Sequence, residues 1–394
     1  MLSRLLILSS SLLWYPIVLL GGVKTHHVII IILALTTCLS GNLINHIYLT
    51  FKRYPFLIMG MFGWVLVLSV TTLLADTSWS LTKVISFFLQ ILIGNYAVTV
   101  VMADSGLDGL KKLLNFSLIF FLIPIIFFSG IPTIDVIEIV YRTIVQANPK
   151  IIIFEFLAKA PLFLSFDADG LDGLRHTISL YLVLVFLVNL FANKKNWFDF
   201  LIIVFVIFII VTLQSRAAWL ALLPSIAVYM FFQVFVGRRS AMVWFVLVVF
   251  VLLVVIVAIT ILGPLIVSRL THVDSYGERM YRFHDAWNWF ADLSFSPITM
   301  NRMYGSSHTF IFDSYYSGGI LGFILSAVII FTVVATSFPH TRARFEFRYL
   351  IFIFAFPLIV RMLTAGSGLP GFGATLCFSV ALYLAMHRRK VYCT

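Results

Sequence analysis

The sequence predicts an all-α, polytopic integral membrane protein with about twelve transmembrane helices and two larger loops on one side of the bilayer. Three observations predict it. The 394 residues are 61% hydrophobic and 11% charged, whereas a soluble domain carries about 25% charged residues. The apolar runs are about 17–25 residues long, the length that crosses hydrocarbon as a helix. The basic residues recur in pairs and triplets between alternate runs, as orientation signals do.

Each element follows from these observations. In a bilayer, backbone groups must be satisfied internally, by helices or a closed barrel. Barrel strands would be shorter and would alternate polar with apolar residues. Spans are expected near 5–22, 28–45, 55–75, 84–103, 113–131, 176–193, 198–213, 217–237, 241–267, 316–337, 346–363 and 371–387. The first begins with Arg4 and an apolar run from Leu5; no small-residue cleavage site follows, so it reads as a retained helix. With the N-terminus inside, one side holds Arg4, Lys52 and Arg53, Lys111 and Lys112, Lys194 and Lys195, Arg238 and Arg239, Arg342, Arg344 and Arg348, then Arg388, Arg389 and Lys390. Both termini are therefore expected in the cytoplasm. The +11 net charge is spent on these loops, and no nucleic-acid partner is expected.

Two outside segments are longer, about 132–175 and 268–315. Neither has the length of a soluble domain, so residues 1–394 read as a single membrane domain. Ile134 to Gln146 and Ile151 to Leu164 mix apolar residues with single charges, which suits surface-lying or re-entrant helices. Tyr281 to Phe290 is aromatic-rich and fits the headgroup region. Cys38, Cys377 and Cys393 form neither a metal-ligand spacing nor a disulfide framework. No Walker A loop, HExxH, GxSxG or paired-cysteine motif is present, and no metal or cofactor is expected. Asp167 and Asp169, in DADG, read as a turn before a cation site.

Ionisable residues in or beside spans are expensive, so each is a functional candidate. Arg216 lies between two apolar spans, in QSRAAWLALLP; snorkelling to headgroups is the plainer account of it. Arg279 and Arg282 are three apart and share a helix face. Glu278 and Asp285 can pair with them, or the two guanidinium forks can clamp phosphate oxygens. His308 precedes a span on the outer side, where imidazole can accept a proton near neutral pH. Gly318, Gly319 and Gly322 open that span, and small residues there allow close helix or lipid approach.

In this order and on one side, these stretches resemble the bacterial O-antigen ligase/polymerase family. The matching residues are Ser215-Arg216-Ala217-Ala218-Trp219, then Gly277-Glu278-Arg279, then His308-Thr309 followed after nine residues by Gly319-Ile320-Leu321-Gly322. The resemblance covers roughly Leu213 to Gly322. Thr309 stands where the family has an amide residue. The stretch from Arg279 to His308 is short for a lipopolysaccharide ligase, which favours the polymerase branch.

The resemblance implies a membrane glycosyltransferase at the periplasmic face of the bacterial inner membrane, inverting and metal-independent. Donor and acceptor would be glycans linked through diphosphate to undecaprenol, with membrane lipid and a chain-length regulator protein as further partners. Catalysis would fall to His308 as base and to Arg279 and Arg216 as stabilisers of the leaving diphosphate. Arg282, Thr309, Gly319 and Gly322 would contact substrate. The expected function is an O-antigen polymerase for surface polysaccharide and lipopolysaccharide. The alternatives are an O-antigen ligase acting on lipid A-core and, in a different class, a lipid-linked oligosaccharide transporter. A transporter is expected to carry mid-membrane charges in broken helices, and a structural subunit would have no site.

Overall fold

The computed structural model describes residues 2–8, 25–39, 41–74, 81–128, 131–146, 168–192, 196–213, 215–235, 309–337, 345–364 and 372–387, with isolated positions such as Ile151, Glu155 and Lys194. Among them the regular elements are helices: α1 (Leu2–Leu8), α2 (Thr25–Leu39), α3 (Asn42–Arg53), α4 (Pro55–Leu74), α5 (Leu81–Phe128), α6 (Thr133–Val145), α7 (Ala168–Phe191), α8 (Trp197–Leu213), α9 (Arg216–Phe235), α10 (Phe310–Ser337), α11 (Phe345–Thr364) and α12 (Phe372–Met386). The span expected at 241–267 and most of the one at 5–22 lie outside the described residues.

The topology expected from the sequence is not what the helices support. Three are long and apolar enough to cross a membrane: Pro55–Leu74, Phe87–Phe120 and Phe310–Thr336. A fourth is reached only if the pair Ile30–Leu39 and Asn42–Arg53, bent by 87°, is one broken span. Five further apolar helical stretches are 10–17 residues long: His176–Phe191, Trp197–Leu213, Ala217–Ala227, Tyr349–Leu363 and Gly373–Met386. At about 1.5 Å per residue, stretches of 10–17 residues rise about 15–25 Å, at or below the short end of what crosses a hydrocarbon core of about 30 Å. Burial supplies a second reason. Every position from Ile178 to Asn189 is buried, as is every position from Gly373 to Ala385. These two stretches are covered by other helices and present no face to lipid. Hydropathy alone counts each as a span.

The expectation of about twelve transmembrane helices is therefore corrected to three, or up to four, among the described residues. The multi-pass inner-membrane placement with cytoplasmic termini and a periplasmic active site rests on the larger number and falls with it. So does the assignment as O-antigen polymerase, with its ligase and transporter alternatives, because that reaction scheme requires the extensive polytopic architecture.

Glycines shape the long helices. In α5 the backbone breaks at Gly106 (φ 62°, ψ −161°), and in α10 at Gly319 (φ 61°, ψ −156°). Positive φ is a region that a residue with a Cβ enters only with strain. The break in α10 is a reversal. Ser314, before it, hydrogen-bonds Trp64 of α4 (Nε1 donating to Oγ, 2.9 Å). Leu325, after it, packs at the neighbouring Gly63. The two arms of α10 thus lie side by side at one level of α4. The longer arm runs antiparallel to α4: Gly60 faces Val328 and Ile329, Gly63 faces Leu325, and Gly318 at the reversal faces Val67 and Leu68. Small residues let the helices approach closely. The other face of α4 exposes Phe56, Met59, Phe62, Leu66, Val70 and Leu73.

The helix α6 covers the segment expected to lie on a surface. It exposes Ile134, Ile137, Tyr141 and Val145 along one stripe. Arg142 forks onto Glu155 with two bonds of 3.0 Å.

Around the turn joining α7 to α8, polar groups close on one another. Lys111 Nζ of α5 donates to Asp199 Oδ2 at 2.6 Å and also to the Lys194 carbonyl. Asp199 and Asn196 cap the start of α8 reciprocally, at 3.0 and 2.9 Å. The Lys194 N–H donates to Asp108 Oδ1 at 3.1 Å. One turn deeper, the amides of Asn115 and Asn189 exchange bonds of 3.1 and 2.8 Å. These groups tie α5 to the α7–α8 hairpin.

Candidate functional site

The opposite end of the bundle holds a different set of polar residues. Ser215 stands at the N-cap of α9, a position serine favours. Its carbonyl accepts the Trp219 N–H at 3.1 Å. Its hydroxyl is hydrogen-bonded to Nδ1 of His176, on α7, at 2.9 Å. Ser215 is fully buried. The pair joins the start of α7's apolar run to the α8–α9 junction, far from the α7–α8 turn.

Arg361 lies towards the same end. Phe191, beside the turn, stacks near Tyr349 and Phe354 of α11, at 6.2 and 6.1 Å between ring centroids. Arg361 follows Phe354 by seven residues, which raises it about 10 Å away from the turn. Its side chain is buried, 2% exposed, in the last turn of α11 and within the apolar stretch Tyr349–Leu363. Both α9 and α10 pack on α11.

The short arm of α10 adds Asp313, also 2% exposed. Arg53, just before α4, donates to the Met386 carbonyl at the end of α12. Gly373, at the start of α12, packs on Tyr181, five residues from His176, so α12 begins towards the His176 end and ends, where α4 begins, on the turn side. Gly318, against Leu68, is then on the far side with His176 and Ser215. The indole N–H of Trp219 is buried there without a hydrogen-bond partner among the described residues.

The residues singled out in the sequence divide into two groups. Arg216 is the first residue of α9. Thr309 is half-buried just before α10, its carbonyl accepting the Asp313 N–H at 3.0 Å. Gly319 is the reversal point of α10, and a Cβ on Gly322 would collide with the Ser314 carbonyl. These glycines thus have a packing reason for being small. Arg279, Arg282 and His308 lie outside the described residues, as does Asp167, while Asp169 is in the first turn of α7. Among the described residues, no three His, Cys, Asp or Glu side chains are grouped to hold a metal ion. Cys377, on α12 and outside the three span-length helices, is buried, and burial pushes its thiol well above the ordinary range.

Sequence reasoning missed His176, Asp313 and Arg361. Arg361 carried a signal: it is an ionisable residue inside a run read as a span, which marks a functional candidate. His176 carried none, because its partner is 39 residues away. Compared with models of protein families and with curated proteins, the chain matches neither.

Proposed function

We propose that the chain is a membrane-embedded enzyme that binds the anionic head of a lipid-linked glycan at the Ser215–Arg361 end of the bundle and transfers a glycosyl group from it. The observation that carries this reading is Arg361, a permanently charged side chain buried within the apolar stretch Tyr349–Leu363. Guanidinium does not lose its proton, and its five N–H donors can serve a neighbour in the fold and an anion together. Diphosphate is the anion whose oxygens match a guanidinium fork. In such a transfer the bond from the sugar's anomeric carbon to the diphosphate breaks, an acceptor hydroxyl forms the new bond and gives up its proton, and polyprenyl diphosphate leaves. This is the class of chemistry that the Ser215–Trp219 and His308–Gly322 resemblance implies, with Arg216 at the start of α9 as a second cation for the same head. The exposed apolar stripe of α4 gives the bundle a face for lipid.

The test is turnover of a purified polyprenyl-diphosphate glycan by protein in lipid nanodiscs. Arg361→Ala is expected to lower the rate about 100- to 1000-fold, as loss of a group stabilising transition-state charge does. Arg361→Lys should recover little, since an ammonium lacks the fork. Normal turnover by both variants, with normal yield of folded protein, would refute the assignment.

A further inference from the structure

We propose that His176 is a positioning residue: through its hydrogen bond to Ser215 it fixes the first turn of α9 and with it Arg216. This rests on the reading of Arg216 as a cation for the substrate head. The geometry argues it in three steps. Ser215 is the N-cap of α9, and its carbonyl accepts the Trp219 N–H. In an isolated helix the cap hydroxyl would turn inward to an orphan N–H of the first turn. Here the hydroxyl meets Nδ1 of His176 on another helix at 2.9 Å. The start of α9 is therefore referenced to α7 rather than to itself alone.

The surroundings make that reference rigid. Directly beyond His176, α7 is buried from Ile178 to Asn189. Its other end is clamped through Asn189 to Asn115. The α9 side is equally fixed, with Ala217, Ala218 and Ala221 buried. These alanines leave no bulk to hold the first turn by shape, so the polar pair sets its register. A displacement of about 1 Å in a catalytic group can change rates by about 100-fold. A histidine that touches no substrate can thus control turnover through the backbone of residues 215 and 216.

The experiment combines hydrogen exchange with turnover. His176→Ala and Ser215→Ala should each speed amide exchange in the first turn of α9. The double variant should exchange no faster than either single one, because the two residues act as one unit. His176→Asn is the conservative variant: its amide nitrogen or oxygen sits near the place of Nδ1 and keeps the bond. It should restore slow exchange and, on the polyprenyl-diphosphate glycan, restore kcat, which His176→Ala lowers while leaving KM near its original value. Unchanged exchange in His176→Ala overturns the proposal, as do additive effects in the double variant. Coupled exchange with wild-type kcat in His176→Ala overturns the positioning role. A wild type that turns over no such donor overturns the functional reading instead. The tie between α7 and α9 is then decided by the exchange data alone.

Discussion

The two ends of the helix bundle use polar residues in opposite ways. At the α7–α8 turn, Lys111, Asp199, Asn196, Lys194 and Asp108 satisfy one another within a few ångströms, and Asn115 and Asn189 close a second circuit below them. At the far end, Ser215, Asp313 and Arg361 are buried, His176 is half-buried, and the four come from separate helices, while the Trp219 indole N–H near Ser215 has no acceptor among the described residues. A closed network holds helices together and leaves little for a ligand. Under the proposed function, the far-end groups hold helices together and face a substrate head as well. Buried ionisable groups also serve structure, so the difference is a matter for variants.

The turn end should break hardest. Lys111→Ala strands the Asp199 carboxylate at a side-chain exposure of 5%. Removing one partner of a buried ion pair costs about 3–5 kcal/mol. Thermal unfolding in detergent or nanodiscs should register the loss. The pair variant Lys111→Met/Asp199→Asn, which keeps an acceptor for the Asn196 N–H, should recover most of it. If Lys111→Ala unfolds at the wild-type temperature, the network is not what holds α5 to the hairpin.

A smaller loss is expected one turn deeper. Asn115→Ala leaves the Asn189 carbonyl unmatched, and an unsatisfied buried polar group costs about 1–3 kcal/mol. Asn115→Leu combined with Asn189→Leu should be milder than the single change, since it leaves neither amide stranded. A double variant worse than the sum would point to packing instead.

At the far end the stability effect is set by backbone. Gly319→Ala places a Cβ at φ 61°, ψ −156°, a region essentially confined to glycine, at a cost on the order of 1–3 kcal/mol. The reversal of α10 should loosen, and exchange in Phe310–Gly318 should rise while the turn end stays protected. Equal loosening at both ends would mean that the ends are not independent.

The sequence made the helices legible and their roles less so. Apolar runs placed α4, α8 and α12 within a residue or two, because each begins and ends at a polar or glycine-rich break. The runs near 84–103 and 113–131 are the two helices that meet within α5 at the break at Gly106. The helix α3 was not expected as a separate element: Asn42, Asn45 and His46 interrupt its apolar pattern, and its axis turns at Gly41 (φ 70°). What hydropathy could not distinguish is whether an apolar residue meets lipid or another helix. Tyr181 and Phe186 are covered by protein, while Phe200 and Phe208 are exposed, yet all four sit in runs of similar composition. Of the proposed site, Ser215–Arg216 is marked in the sequence by a local motif. His176 is not, because the fold alone brings it to Ser215.

One measurement bears most directly on the contrast between the ends. The rate of glycosyl transfer from a polyprenyl-diphosphate glycan would be taken for wild type, Arg361→Gln and Lys111→Met/Asp199→Asn, all at matched amounts of folded protein in nanodiscs. The account predicts that the turn-end pair variant transfers at the wild-type rate and that Arg361→Gln falls by about 100-fold or more. A full rate in Arg361→Gln, or a collapse confined to the turn-end variant, would contradict it.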